Sequence, residues 1–215
     1  MKKFLATILL SLLLGCGGGV QLLTSTPDVV STDPNNWNIQ YSTNMPIHPM
    51  ASSFGAWEFD FPITPGSVNY VTVPYFQTIA HTQISMTFEI VTIGNVTYNL
   101  SDPTVYPPES VRLFFQECGD NLSAQGPYAA YRWWSYPLSY NLGTADNTIV
   151  TLTVPLVRAN NWVDVYNVGT DAGFQGALNN LCDVGMTFGG LGGLGHGVSV
   201  TGGTAKFVLI SYSIT

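Results

Sequence analysis

"TQISMTFEIVTI", residues 82–93, decides the fold. Ile84, Met86, Phe88 and Ile90 alternate with Gln83, Ser85, Thr87 and Glu89. Successive side chains of a strand point to opposite faces, so this period of two describes a half-buried β-strand. The same period recurs on both sides of it. In "FGAWEFDFP" (54–62), Trp57, Phe59 and Phe61 alternate with Glu58 and Asp60. "VRLFFQE" (111–117) sets Val111, Leu113 and Phe115 against Arg112, Phe114 and Gln116, and "NTIVTLTVPL" (147–156) sets Val150, Leu152, Val154 and Leu156 against Thr151 and Thr153. "DVGMTFGG" (183–190) and "AKFVLISYSI" (205–214) add two strands, and "NNWNIQYS" (35–42) reads as an edge strand. Proline and glycine clusters separate these runs, as turns require.

One segment departs from the pattern. In "TDAGFQGALNNLCDVG" (170–185), Phe174, Leu178 and Leu181 fall at i, i+4 and i+7, with Thr170 or Asp171 placed to cap the first turn. This predicts a short helix crossing from one sheet edge to another. Many antiparallel strands with one small helix define an all-β class: a two-sheet antiparallel β-sandwich of jelly-roll type.

The N-terminus reads differently. Lys2 and Lys3 precede an apolar run, Phe4–Leu14, that falls short of the about twenty residues a bilayer span needs. This is the pattern of a bacterial secretory signal peptide. Leu13, Leu14, Gly15 and Cys16 resemble a lipobox, which makes Cys16 the lipidated first residue of the mature chain. An ordinary secretory cleavage nearby is the other reading. The expected organisation is a leader over 1–16, a flexible tether and irregular lead-in over 17–50, and the sandwich over 51–215. The expected location is the bacterial cell envelope, facing periplasm or exterior, or the medium if no lipid is attached.

Beyond the leader, only Cys118 and Cys182 remain as cysteines. An even number in an oxidising compartment suggests a disulfide, which would stabilise the fold by roughly 4 kcal/mol; two free buried thiols are the alternative. His48, His81 and His196 are scattered without metal-ligand spacing. The net charge is −7, with Lys and Arg totalling 6, so the clustered basic residues of a nucleic-acid footprint are absent. Few charges beside many Asn, Thr, Ser, Tyr and Trp suit recognition of neutral polar ligands.

The order of strands, the helix at Phe174–Leu181, "VGMTFGG" (184–190) and the terminal "GGTAKFVLISYSI" (202–214) resemble the jelly-roll carbohydrate-binding modules of galactose-binding-like fold, over roughly residues 54–215. "RWWS" (132–135) and "FGGLGGLGHGVSVTGGTAKF" (188–207) also resemble blocks of exported bacterial proteins without assigned activity. The resemblance implies a glycan partner, non-covalent binding and no catalytic cofactor. Such modules often hold a structural calcium through carboxylates near the first and last strands, whereas here the last strand, "ISYSI", carries no Asp or Glu.

Candidate site residues come from "FFQECGDNLSAQGPYAAYRWWSYP" (114–137). Neighbouring Trp133 and Trp134 must point to opposite faces of a strand. With Trp133 inward, Arg132 and Trp134 share the outer face, where an indole packs on a sugar ring and a guanidinium grips hydroxyls. Gln116 and Glu89 join them if their strands are neighbours, and Asp120 lies in the adjoining loop. Two other readings stand beside this one. Arg132 pairs with Glu117 or Asp120 to pin the loop, and Asp120 and Asn121 form a turn beside the disulfide. A glycosidase needs two carboxylates across a cleft. Glu58, Asp60, Glu89 and Glu117 are of that type, and alternation puts the first three on one side, although carboxylates on an outer strand face are commonly just solvated. Glycan binding, a structural or protein-interaction role, and a small carbohydrate-active enzyme are therefore the three candidate functions, in that order.

Overall fold

The computed structural model describes residues 28–76, 82–145, 147–191 and 196–215. The leader with Cys16, the first part of the tether and His81 lie outside them. Two antiparallel sheets face each other. One has the order β10(Ile149–Pro155), β6(Gln83–Leu100), β13(Val198–Ile214), β4(Trp57–Asp60) and β3(Met50–Ala51), with β1(Asp28–Val29) paired to the end of β13. The other has the order β11(Trp162–Val163), β8(Arg132–Ser135), β7(Tyr106–Glu117), β12(Leu181–Leu191), β5(Tyr70–Pro74) and β2(Asn38–Gln40), with β9(Tyr140–Asn141) beside β7. This is the two-sheet sandwich that the period-two runs predict, and β2 is the edge strand read in residues 35–42.

The inward faces are the predicted ones. Ile84, Met86, Phe88 and Ile90 meet Val111, Leu113 and Phe115 of the facing sheet, with Trp57, Phe59 and Phe207 beside them. Phe207 stacks between Phe59 and Phe88, with ring centroids 5.4 and 5.1 Å away. Phe188 enters edge-on from the opposite sheet, 5.6 Å from Phe207. Fully burying a side chain of this size stabilises the fold by roughly 1.5–3 kcal/mol. Trp37 and Trp162 are also core residues. Trp37 packs on Trp57 at 4.9 Å, and Trp162 packs on Phe115 at 4.9 Å.

The helix is α1(Asp171–Asn179), capped by the Thr170 hydroxyl, which accepts from the N–H of Gly173. Its course differs from expectation. It leads from β11, an edge strand, to β12, an interior strand of the same sheet, and so closes one end of the sandwich instead of joining two edges. Phe174 provides the reason, inserting among Phe115, Trp133 and Trp162 at 5.4, 5.1 and 6.2 Å. Leu181 is buried as expected but opens β12 instead of ending the helix. The disulfide is formed: Cys118 and Cys182 join the ends of β7 and β12, with Cα atoms 4.7 Å apart.

Candidate functional site

Register fixes what the outer face of the seven-stranded sheet carries. Gln116 lies between Arg132 on β8 and Asp183 on β12. One row along, Trp134, Phe114, Gly185, Thr72 and Asn38 follow one another across five strands. The next row runs Arg112, Thr187, Tyr70 and Gln40. Gly185 leaves a gap in the middle row, and no side chain fits there, because a Cβ would stand 2.2 Å from the carbonyl oxygen of Val71.

Four rings bridge these rows. Tyr41 meets Tyr70 edge-on at 5.5 Å, Tyr70 meets Phe114 at 5.1 Å, and Phe114 meets Trp134 at 5.6 Å. The Arg132 guanidinium lies 6.0 Å from the Trp134 ring, at the end of the ridge. Beside the ridge opens a hollow of about 310 Å³, lined by Gln40, Tyr41, Tyr70, Thr72, Gln116, Leu122 and Arg132. Tyr41, half of whose surface is open at 56%, forms its outer wall. Tyr41 and Leu122 both hold left-handed backbone, with φ of +53 and +64. Bulky side chains seldom adopt that region, and such strain tends to collect at binding sites.

Beneath the hollow the polar groups are tied to one another. Asp120 Oδ2 lies 2.8 Å from Arg132 Nε and accepts from Gln116 Nε2 at 2.8 Å, while its Oδ1 accepts from the N–H of Leu122. Arg132 Nη2 donates to the carbonyl of Leu122 at 3.0 Å. Asp120, with 1% of its side chain exposed, is therefore the pin of the loop. Burial pushes the Tyr70 hydroxyl up to about 12, opposed by the charge and hydrogen bond of Arg132.

The five predicted site residues thus divide. Arg132, Gln116 and Asp120 form one cluster. Trp133 points inward and Trp134 outward, as alternation requires, but Trp134 is only 3% exposed. Phe114 and Arg132 pack against it, so it is a covered ring beside the first hollow and not the open platform expected. Its edge instead borders a second hollow of about 370 Å³ with Tyr136, Val163, Asp164, Tyr166, Asn167 and His196. Glu89 is the clearest displacement. It stands on β6 in the other sheet, so the condition that would join it to Gln116 is not met.

Glu89 does share an outer face with Glu58 and Asp60, around a third hollow of about 440 Å³ that also holds Phe54, Ile93 and Lys206. Glu58 is ion-paired with Lys206 and accepts from the Ser52 hydroxyl at 2.8 Å. Burial works to raise its carboxyl, but those two bonds and the Lys206 charge outweigh it and hold the group below its usual value. Among the described residues no cluster of three or more His, Cys, Asp or Glu is placed to hold a metal ion. His48 donates from Nδ1 to the Trp37 carbonyl at 2.7 Å, and His196 Nδ1 lies 3.0 Å from Asp102 Oδ2.

Tyr41, Tyr70, Gln40, Thr72 and Leu122 were not singled out from sequence. Tyr70 and Thr72 alternate with Val71 and Val73, a legible strand signal, but nothing local says that β5 lies two places from β7. The molecule is thus an antiparallel β-sandwich with a ring-walled polar hollow on the outer face of one sheet. No protein-family model matches the chain, and no curated protein matches it. Among solved structures, the chain is similar to the xylan-binding module CBM15, with a TM-score of 0.46 and 15% identity over 88% of this chain and 95% of that one. It is also similar to xylanase 10C from Cellvibrio japonicus in complex with xylopentaose, with a TM-score of 0.43 and 16% identity over 87% of this chain and 28% of that one.

Proposed function

We propose that the outer face of the seven-stranded sheet binds a glycan or similar neutral polar ligand without catalysis. The observation that carries this reading is the hollow between the open Tyr41 ring and the amide and guanidinium groups of Gln40, Gln116 and Arg132. Aromatic walls with a few fixed polar groups are the usual makeup of a small-ligand site. A sugar ring stacks its C–H face on tyrosine, and its hydroxyls exchange hydrogen bonds with amides. Because Asp120 and Leu122 hold Arg132 in place, little side-chain freedom is lost on binding. The grouped carboxylates Glu58, Asp60 and Glu89 line a hollow on the other sheet, which favours binding over hydrolysis at this face.

The test is titration with a panel of neutral oligosaccharides, xylopentaose among them. Tyr41→Ala should weaken binding by about tenfold and leave the melting temperature unchanged. Binding that survives Tyr41→Ala with Gln116→Ala, or a panel with no ligand at all, removes the reading. The finer proposal is that a lipid on Cys16 holds this domain at the cell envelope. Radiolabelled fatty acid should enter the wild type and not Cys16→Ser. A protein-interaction role has its own support, since Phe54 and Ile93, at 85% and 72% exposure, flank the acidic hollow on the six-stranded sheet.

A further inference from the structure

Among the described residues, the marginal strands other than β10 are short or covered. β3 and β11 are two residues each, and β2 is covered where the Ile39 N–H donates to the Ile47 carbonyl at 2.8 Å. The exception is β10, seven residues long, whose only strand partner among the described residues is β6. Its sequence, Ile149 to Pro155, holds no charged residue and is dominated by β-branched side chains. Every second residue of an edge strand turns its N–H and C=O away from its partner, and proteins normally guard such rows with lysine, proline or a bulge. Pro155 guards the far end, where its carbonyl also accepts from Trp162 Nε1 at 2.7 Å, and Ile149–Thr153 is left as the unguarded stretch among the described residues. On the core side, Val150 and Leu152 are only partly buried, so the apolar layer also ends at this open margin. On the outer side, Thr151 and Thr153 bond Thr87 and Ser85 at 3.0 and 2.7 Å, which keeps the strand flat against β6.

We infer that β10 pairs with β10 of a second copy of this chain, antiparallel and centred near Leu152, joining two six-stranded sheets into one. A second copy suits this edge for two reasons. Antiparallel pairing of identical strands is self-complementary under a twofold axis, so each copy receives the bonds it gives. A strand without charge also meets its own image without like-charge repulsion. The twofold axis stands perpendicular to the joined sheet, so both copies keep the same face outward. The two ring-walled hollows then open to the same side. Such an interface is small, and the pairing is correspondingly weak in dilute solution. On a repeating polymer, however, two hollows facing one way act as a bivalent binder whose second contact is intramolecular.

This consequence rests on the glycan reading, but the pairing does not. Sedimentation equilibrium over rising concentration should show a monomer–dimer equilibrium for the wild type and a monomer for Thr151→Lys with Thr153→Lys, which sets like charges across the twofold axis. A matching melting curve certifies the fold of that variant. If it melts early, Thr153→Lys alone replaces it, since Thr153 is exposed and its lysine stands diagonally across the axis from its own image. Retention on an immobilised polysaccharide that the wild type binds should fall by about tenfold in the variant, with affinity for a short oligosaccharide unchanged. A wild type that stays monomeric throughout, or a dimer that persists in the lysine variants, overturns the inference. If the wild type binds no glycan, the sedimentation result still decides the pairing.

Discussion

On the outer face of the six-stranded sheet, Ser85 bonds Thr153, Thr87 bonds Thr151, and Glu58 pairs with Lys206, all open to water to some degree. On the outer face of the seven-stranded sheet, Arg112, Phe114 and Trp134 are almost wholly covered. Both faces alternate equally well in sequence. The difference is what lies on top. The first face is largely open strand, with residues 52–55 lying over Val208. The second is roofed by the Asp120 loop, by Tyr136 and by the chain after β11, so it has become a second small core with a hollow left at its margin. Period two separates the two sides of a strand, yet it does not say which side is wet. A mixed row such as Arg112, Phe114 and Gln116 fits either fate.

Arg112 shows how far the second face has left water. It is 1% exposed, its Nη1 donates to the Gly190 carbonyl at 3.2 Å, and the Tyr136 ring lies 5.8 Å from its guanidinium. No carboxylate among the described residues pairs with it, and burial pushes it down to about 10. Desolvation of an uncompensated charge is costly, so this residue holds its place through shape and backbone contact.

The contrast between the faces can be broken most directly at Trp134. Trp134→Ala should cost about 3–5 kcal/mol by denaturant unfolding, as a core truncation does. A loss below about 1 kcal/mol would mean that the ring is open and the roof is not there. A smaller effect is expected in alkali. Tyr70 and Tyr98 are both pushed up to about 12 by burial, while unfolded tyrosine ionises near 10. A raised folded value favours the native state below pH 10, and that advantage disappears as pH climbs from 10 to 12. Arg112 acts in the opposite sense, since its burial penalty is relieved above 10. Circular dichroism between pH 9 and 12 should show stability falling, with a shallower slope in Tyr70→Phe. The smallest effect belongs to the more open face. Lys206→Met should change stability by under about 1 kcal/mol, and 1 M salt should erase most of the difference.

The strand runs around Phe88, Phe59 and Phe115 were legible because a sandwich core imposes period two on every strand that lines it. The opposite pointing of Trp133 and Trp134 was legible for the same reason. The Arg132–Asp120 pair was legible as an alternative, since both residues belong to one loop and the strand it feeds. Glu89 was misplaced because neighbourhood between strands is a long-range property, and β6 and β7, consecutive in sequence, belong to different sheets. Tyr41 escaped notice because its place in the wall depends on a left-handed residue at the end of a three-residue strand, a feature without a sequence signal in a tyrosine.

In the cystine at the ends of β7 and β12, Cys118 stands two residues before Asp120, the residue that pins Arg132 and Gln116 under the hollow. A newly made chain with its two thiols still free lacks that brace, and the wall of the hollow hangs on a loop tethered at one end less. On the proposed reading of the hollow, ligand competence should therefore arrive with oxidation, as a step of maturation, later than the closing of the aromatic core.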